Sequence, residues 1–297
     1  MSGNVAPDAW VRAMPVVFVL IWSTGFVVAR FGMPYAPPMK FLALRFALAI
    51  VCFGLWATVA RARWPTPRRQ WMHLLVTGIL MHAGYLGGVW SAVKFGMGAG
   101  LVALLVGLQP VLTAVWLSSR GGRVAPRQWL GLGLGFAGLA LVVWQKLGLG
   151  EISPVNFTLA VVALLSMTVG TLYQKRFLAP CAVPTANFVQ NIAALALTLP
   201  LALWLETEAI QLNGYFIGAM AWSVLALTVG GSSLLYLLIQ RGAATSVTSL
   251  LYLVPPCTAL MAWLLFAEPI TALTLVGTAL TALGVSLVVR GGDTRSA

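Results

Sequence analysis

The chain has 297 residues, of which 60% are hydrophobic and 8% charged, against about a quarter charged in ordinary soluble domains, so it cannot present a conventional water-facing surface. Its formal net charge of +12 would suggest nucleic acid in a soluble protein. Here the basic residues gather in short loops between apolar stretches, where they act as topology determinants of an integral membrane protein rather than as a nucleic-acid site.

Each membrane-spanning helix needs about 20 mostly apolar residues, and ten such windows fit, at roughly 13–33, 38–60, 71–93, 98–118, 127–145, 157–178, 184–205, 215–239, 244–266 and 270–290. The polar stretch Met1 to Arg12 precedes a first span too long for a signal-peptide core, so that span is expected to remain as the first helix. Near its middle, Trp22 stands beside Ser23, Thr24 and Gly25, and either lines a cavity or packs in the core. Most other tryptophans, including Trp56, Trp64, Trp116, Trp129, Trp144 and Trp204, flank spans as interfacial anchors.

The second span carries Arg45, a cation that is costly inside a bilayer and so needs a reason to be there. It either faces a cavity, able to grip a carboxylate with a forked pair of hydrogen bonds, or snorkels and ties helices together. On the third span His82 and Tyr85 share a face with Gly78, and Trp90 follows near the interface as a cavity wall or a belt residue. No Asp or Glu lies inside a span, which leaves His82 as the proton-coupling candidate near mid-membrane and makes uncoupled or weakly coupled movement the default. A structural histidine is the alternative.

Pro110 interrupts the fourth span, and Pro255 and Pro256 interrupt the ninth, each freeing carbonyls one turn earlier. These are candidate gates, or static kinks. The fifth span, Gly131 to Gly138, carries small residues at spacing four and reads, with the tenth, as scaffold. On the seventh, Asn187, Gln190 and Asn191 form a polar stripe directed inward, toward other helices or a substrate. Tyr236 on the eighth span and Thr245, Ser249 and Tyr252 on the ninth extend the polar and aromatic lining.

The chain also repeats itself at a constant offset of 146. Gly84 answers Gly230, Pro110 answers Pro256, Gly131 answers Gly277 and Gly138 answers Gly284. Residues 13–145 and 157–290 are thus two copies joined near Lys146 to Asn156. Five spans per copy is odd, so the second crosses in the opposite sense, giving an all-α fold of two inverted five-helix repeats around a central cavity. With the N-terminus cytoplasmic, thirteen basic residues fall on the inner side (Arg12, Arg61, Arg63, Arg68, Arg69, Arg120, Arg123, Arg127, Lys175, Arg176, Arg241, Arg290, Arg295). Four, Arg30, Lys40, Lys94 and Lys146, fall outside with the four glutamates. The positive-inside rule places both termini in the cytoplasm. Three cysteines make neither a disulfide framework nor a metal spacing, and no phosphate-cradling Gly-x-x-x-x-Gly-Lys-Ser/Thr occurs, so no cofactor is expected.

Ile21 to Phe26, Leu42 to Phe46 with Arg45, Val106 to Pro110, Val254 to Pro256, Glu268-Pro269 and the glycine-spaced Gly277 to Gly284 together resemble the drug/metabolite transporter superfamily. Within it the chain is similar to the ten-helix EamA-type exporters, most like the YddG-type aromatic amino-acid exporters. The resemblance implies helices one to four and six to nine around the cavity, and inner-membrane export of small organic metabolites, amino acids among them. The copies depart from symmetry where Thr168 stands for Trp22 and Asn191 for Arg45. A nucleotide-sugar or sugar-phosphate carrier would want several cations in the cavity, and a membrane-embedded enzyme would want an acid/base pair or a metal cluster at depth. The expected partners are therefore a small-molecule substrate and the lipid bilayer.

Overall fold

A computed structural model describes residues 9–119, 126–148, 150–231, 234 and 253–293. Its helices are numbered here along the chain: α1 Ala9–Gly32, α2 Pro38–Val59, α3 Arg68–Lys94, α4 Ala99–Val106 continued as Gln109–Ser119, α5 Pro126–Gly148, α6 Pro154–Phe177, α7 Val183–Leu205, α8 Gly214–Gly230, α9 Val254–Phe266 and α10 Ala272–Asp293. Six of these, α2 to α7, are long and apolar enough to cross a membrane, and the other four hold shorter apolar stretches. No strand occurs among the described residues. The outward surface is apolar, with Trp204 85% and Trp144 80% exposed, as expected of helices facing lipid rather than water.

Charge divides the bundle into two ends. Glu151, Glu206, Glu208 and Glu268 occupy one, and Arg61, Arg63, Arg68, Arg69, Lys175 and Arg176 the other. Every α-helix starts with N–H groups that have no partner within the helix. At the glutamate end two of these starts are capped by carboxylates from far along the chain: Glu206 accepts from the backbone N–H of Met39 (2.7 Å) and Lys40 (2.8 Å) at the start of α2, and Glu268 accepts from Ala99 (3.0 Å) at the start of α4. Lys94 donates to Glu208 at 2.7 Å and to the Met33 carbonyl at 3.3 Å. The hydrogen bond and charge of Lys94 hold the Glu208 carboxyl below the usual carboxylate range, so this latch persists at neutral pH and is lost only as acid protonates Glu208.

The offset of 146 reappears in the packing. The α5 and α10 helices cross antiparallel so closely that a methyl group on Gly138 would sit 2.4 Å from the Gly277 carbonyl oxygen, and one on Gly284 would sit 2.4 Å from that of Gly131. Exchanging the two copies turns the first contact into the second. Between them Thr281 donates to the carbonyl of its own repeat partner, Gly135, at 3.4 Å. The same relation holds for the backbone of α3 and α8, where π-helical turns occupy Ile79–Gly84 and Trp222–Gly230, both ending on the repeated glycine. No residue pattern had indicated these turns.

The prolines stand near the starts of helical segments. The α4 helix breaks at Gly107 and Leu108, with Pro110 in the first turn of the segment that follows. Pro255 and Pro256 sit in the first turn of α9 as described, where a missing N–H costs nothing. The two regions touch: Gly107 lies against the Pro255 ring, and a methyl there would come within 2.8 Å of it.

Replacing Gly138 by Leu is expected to destabilise the protein in detergent by about 3 kcal/mol or more through overpacking at α5–α10. Gly133→Ala, whose methyl would meet nothing within 4 Å, should leave the thermal midpoint unchanged or slightly raised.

Candidate functional site

A cavity of about 530 Å³ lies inside the bundle, walled by α1, α2, α3, α6, α7 and α8 together with the loop from Leu178 to Cys181. That is the size of a site for a small organic molecule, for which about 300–1,000 Å³ is usual. The α4, α5 and α10 helices contribute nothing to the wall. For α4 this corrects the expected arrangement: its residues Leu101 to Val106 are buried in the core, where it packs against α9, α1 and α6.

The closed floor of the cavity faces the glutamate end. Trp90 is 1% exposed and stacks on Phe41 with ring centroids 4.3 Å apart, and Phe216 meets Phe41 edge-on at 5.5 Å. Trp90 is therefore a buried floor residue and not an interfacial belt residue. Beyond it, the glutamate caps are joined by a hydrogen bond from Gln211 N–H to the Tyr35 carbonyl (2.8 Å) and by Tyr35 stacked on Tyr215. In the other direction the wall continues to Gln174, Lys175 and the Leu178–Cys181 loop at the arginine end. Gln70 pins that loop, exchanging hydrogen bonds with the carbonyl (2.7 Å) and N–H (3.3 Å) of Ala179.

Arg45 is 7% exposed and lines the cavity. Its Nε and Nη2 donate to the hydroxyl oxygen of Thr228, at 3.3 and 3.1 Å, and its guanidinium lies 5.9 Å from the centre of the Trp90 ring. It does not snorkel. Thr228 in turn donates a hydrogen bond from its hydroxyl to the Ser223 carbonyl five residues back, the spacing of the π turn. Across the cavity, His82 shares a hydrogen bond with Gln190, Nε2 to Oε1, at 3.1 Å. Because an amide oxygen can only accept, Nε2 carries the proton in this pair. Gly78 makes the contact possible, since a methyl there would lie 2.3 Å from the Gln190 carbonyl oxygen.

Asn187 and Asn191 turn their amide nitrogens back to carbonyls of their own helix, Val183 (2.9 Å) and Asn187 (2.7 Å). That leaves the Oδ1 of Asn191, a residue 1% exposed on the cavity wall, buried with no partner. The second histidine, His73, lies toward the arginine end, hydrogen-bonded to the Tyr173 hydroxyl at 2.7 Å and stacked on Phe177.

Of the residues singled out in the sequence, Trp22, Arg45, His82, Tyr85, Trp90, Asn187, Gln190 and Asn191 all border this one cavity. Pro110, Pro255 and Pro256 do not, and Tyr236 and Tyr252, like Thr245 and Ser249, lie outside the described residues. Sequence reading missed Thr228, the Arg45 partner. The offset held the signal, because Thr228 is the repeat partner of His82 as Asn191 is of Arg45, so the contact between α2 and α8 mirrors that between α7 and α3. It also missed Met81, Met167 and the Leu178–Cys181 loop, whose apolar residues look like ordinary core or linker.

The model of the EamA-like transporter family matches the chain twice, over residues 11–144 and 156–290. A protein of Salmonella typhimurium named probable amino-acid metabolite efflux pump is 26% identical over 288 residues, covering 94% of each chain. Its namesake in Escherichia coli K12 is 25% identical with the same coverage. The uncharacterized transporter YvbV of Bacillus subtilis is 26% identical, covering 91% of this chain and 88% of its own. A solved crystal structure aligns with a TM-score of 0.67 at 19% identity, covering 92% of this chain and 94% of its own, a likeness of fold alone.

Two measurements check the geometry. A double-mutant cycle of His82→Ala and Gln190→Ala, followed by thermal unfolding, is expected to give a coupling of about 0.6 to 1.7 kcal/mol, the range for hydrogen bonds between membrane helices. Burial pushes the Cys181 thiol up, against an opposing hydrogen bond with Gln70. With Cys52 and Cys257 replaced by Ser, maleimide should therefore label Cys181 more slowly than a free thiol at neutral pH. The rate should climb as rising pH supplies thiolate; labelling as fast as a free thiol would contradict the burial.

Proposed function

The chain belongs to the EamA-like transporter family, and on that premise we propose that it is a secondary exporter of small amphipathic metabolites, amino acids including aromatic ones among them, working across the inner membrane by alternating access. One observation carries this reading: a cavity of substrate size is sealed at the glutamate end by the Trp90–Phe41 floor and the Glu206 and Glu268 caps, and reaches the arginine end through the Leu178–Cys181 loop. With the arginine-rich loops cytoplasmic by the positive-inside rule, the state described is the one that loads from the cytoplasm. Export then requires the floor and caps to part while the arginine end closes.

The repeat supplies the means. Residues 13–145 and 157–290 act as two copies crossing the membrane ten times in all, in opposite senses, and the family model's double match supports that division. In this reading α5 and α10 hold the copies together while Gly107 and Pro255, in contact between α4 and α9, form the bending pair. Arg45 holds a carboxylate, Trp22, Tyr85 and Trp90 supply ring faces, and His82, Asn187, Gln190 and Asn191 supply polar contacts. The ring contacts expected of Tyr236 and Tyr252 fall outside the described residues. A nucleotide-sugar carrier would need to neutralise several phosphate charges, and among the described residues Arg45 is the one cation at depth in the cavity, with Lys175 near the mouth.

Purified protein in liposomes should accelerate saturable counterflow of labelled amino acids, and if His82 is the proton site rather than a substrate contact, His82→Gln should remove the pH dependence of exchange and spare exchange itself. Absence of flux for every amino acid would sink the substrate class. Impermeant maleimide should reach Cys181 in inside-out vesicles and not in intact cells; the reverse result would invert the orientation.

A further inference from the structure

The cavity holds a positive charge that no carboxylate among the described residues answers. There are six acidic residues in all. Asp8 and Asp293 lie close to the termini, before the apolar part of α1 and at the last position of α10. Glu206 and Glu268 are engaged on the N–H groups of α2 and α4, Glu208 on Lys94 and Glu151 on Lys146. No spanning segment contains a carboxylate, so Arg45 has no anion with which to pair.

Its hydrogen bonds leave room for one. A guanidinium carries five N–H donors, and Arg45 directs Nε and Nη2 at a single oxygen, that of Thr228. The remaining donors have no acceptor among the described residues. The second unanswered group is Asn191 Oδ1, whose orientation is settled because the amide nitrogen must be the atom that donates to the Asn187 carbonyl. An unpaired buried acceptor of this kind wants one N–H or O–H.

We propose that the cavity selects organic monocarboxylates whose second polar group is an uncharged hydrogen-bond donor, such as N-acyl amino acids and 2-hydroxy acids, ahead of free zwitterionic amino acids. The proposal rests on the carrier reading above and narrows its substrate class. A carboxylate answers Arg45 with charge-assisted hydrogen bonds. An amide N–H or a hydroxyl answers Asn191 at little desolvation cost. An α-ammonium would give up its hydration for neutral acceptors alone and meet a like charge in Arg45. Trp22, Phe26, Met81, Leu86 and Met167 line the same space and take the apolar side chain.

The test is competition for counterflow in proteoliposomes of the full chain, with protein-free liposomes as blank. The competitors are N-acetylphenylalanine, phenyllactate, phenylalanine and phenylalaninamide. The two anions should half-saturate exchange at concentrations at least about tenfold below that of phenylalanine, a difference of about 1.4 kcal/mol, and phenylalaninamide should not compete. Phenylalanine exchanging as well as or better than both anions overturns this inference and leaves the carrier reading standing. No saturable exchange of any compound overturns both. Arg45→Gln should weaken every carboxylate. Independently of whether that variant folds, Asn191→Asp puts a carboxylate on the wall and should shift the preference toward phenylalanine; an unchanged ratio would remove Asn191 from the site.

Discussion

Helices that begin at a membrane interface still have N–H groups to satisfy, and this chain meets that requirement at two helix starts with carboxylates brought from the other half of the sequence. Glu206 follows α7 and caps α2; Glu268 follows α9 and caps α4. Each cap is a structural necessity for the helix it serves and also a tie between the two copies. These caps tie the copies at the glutamate end, while at the arginine end they are linked separately by Gln70 on Ala179. The second effect of the caps is on charge. Glutamates held at one end are absent from the middle, so the cation at Arg45 stays unpaired and the cavity stays positive. The capped end and the unpaired cation thus share one cause in where the acidic residues fall.

Much of the architecture could be read from the repeat, because the positions that recur are those where backbone meets backbone. Gly138, Gly277 and Gly284 recur at the offset since a side chain at any of these three would drive α5 and α10 apart, and Gly131 is the residue whose carbonyl Gly284 approaches. The eight described residues expected at the site were found around one cavity for a related reason: a polar group in an apolar span must face inward, and the inward faces converge. What could not be read has physical causes as well. The π turns in α3 and α8 arise from hydrogen bonds to the fifth residue back, which no residue type announces. Trp90 lies four residues from the end of α3, a position that suits a cavity wall or an interfacial belt alike, and only its ring stacked inward on Phe41 decides between them. The Leu178–Cys181 loop carries no residue pattern that marks it, and only its bond to Gln70 reveals that it is held against the mouth.

The π turns bear on why the copies diverge. Each places one polar side chain, His82 or Thr228, opposite the repeat partner position on α7 or α2. In one case the pair is a hydroxyl under a guanidinium; in the other it is an imidazole that bypasses Asn191 and bonds to its neighbour Gln190. Had the symmetry been kept, with arginine at both positions, two cations would share about 530 Å³ of mostly apolar space, and their repulsion and lost hydration would be costly without two anions to bind. Asparagine at 191 avoids that cost and leaves a neutral acceptor in its place. The duplication therefore retains the glycines at which α5 and α10 pack, while the site between the copies becomes polar in one direction: positive on the first copy, hydrogen-bonding and neutral on the second. A ligand that fits must be asymmetric in the same sense, with its charge toward α2 and its neutral donor toward α7.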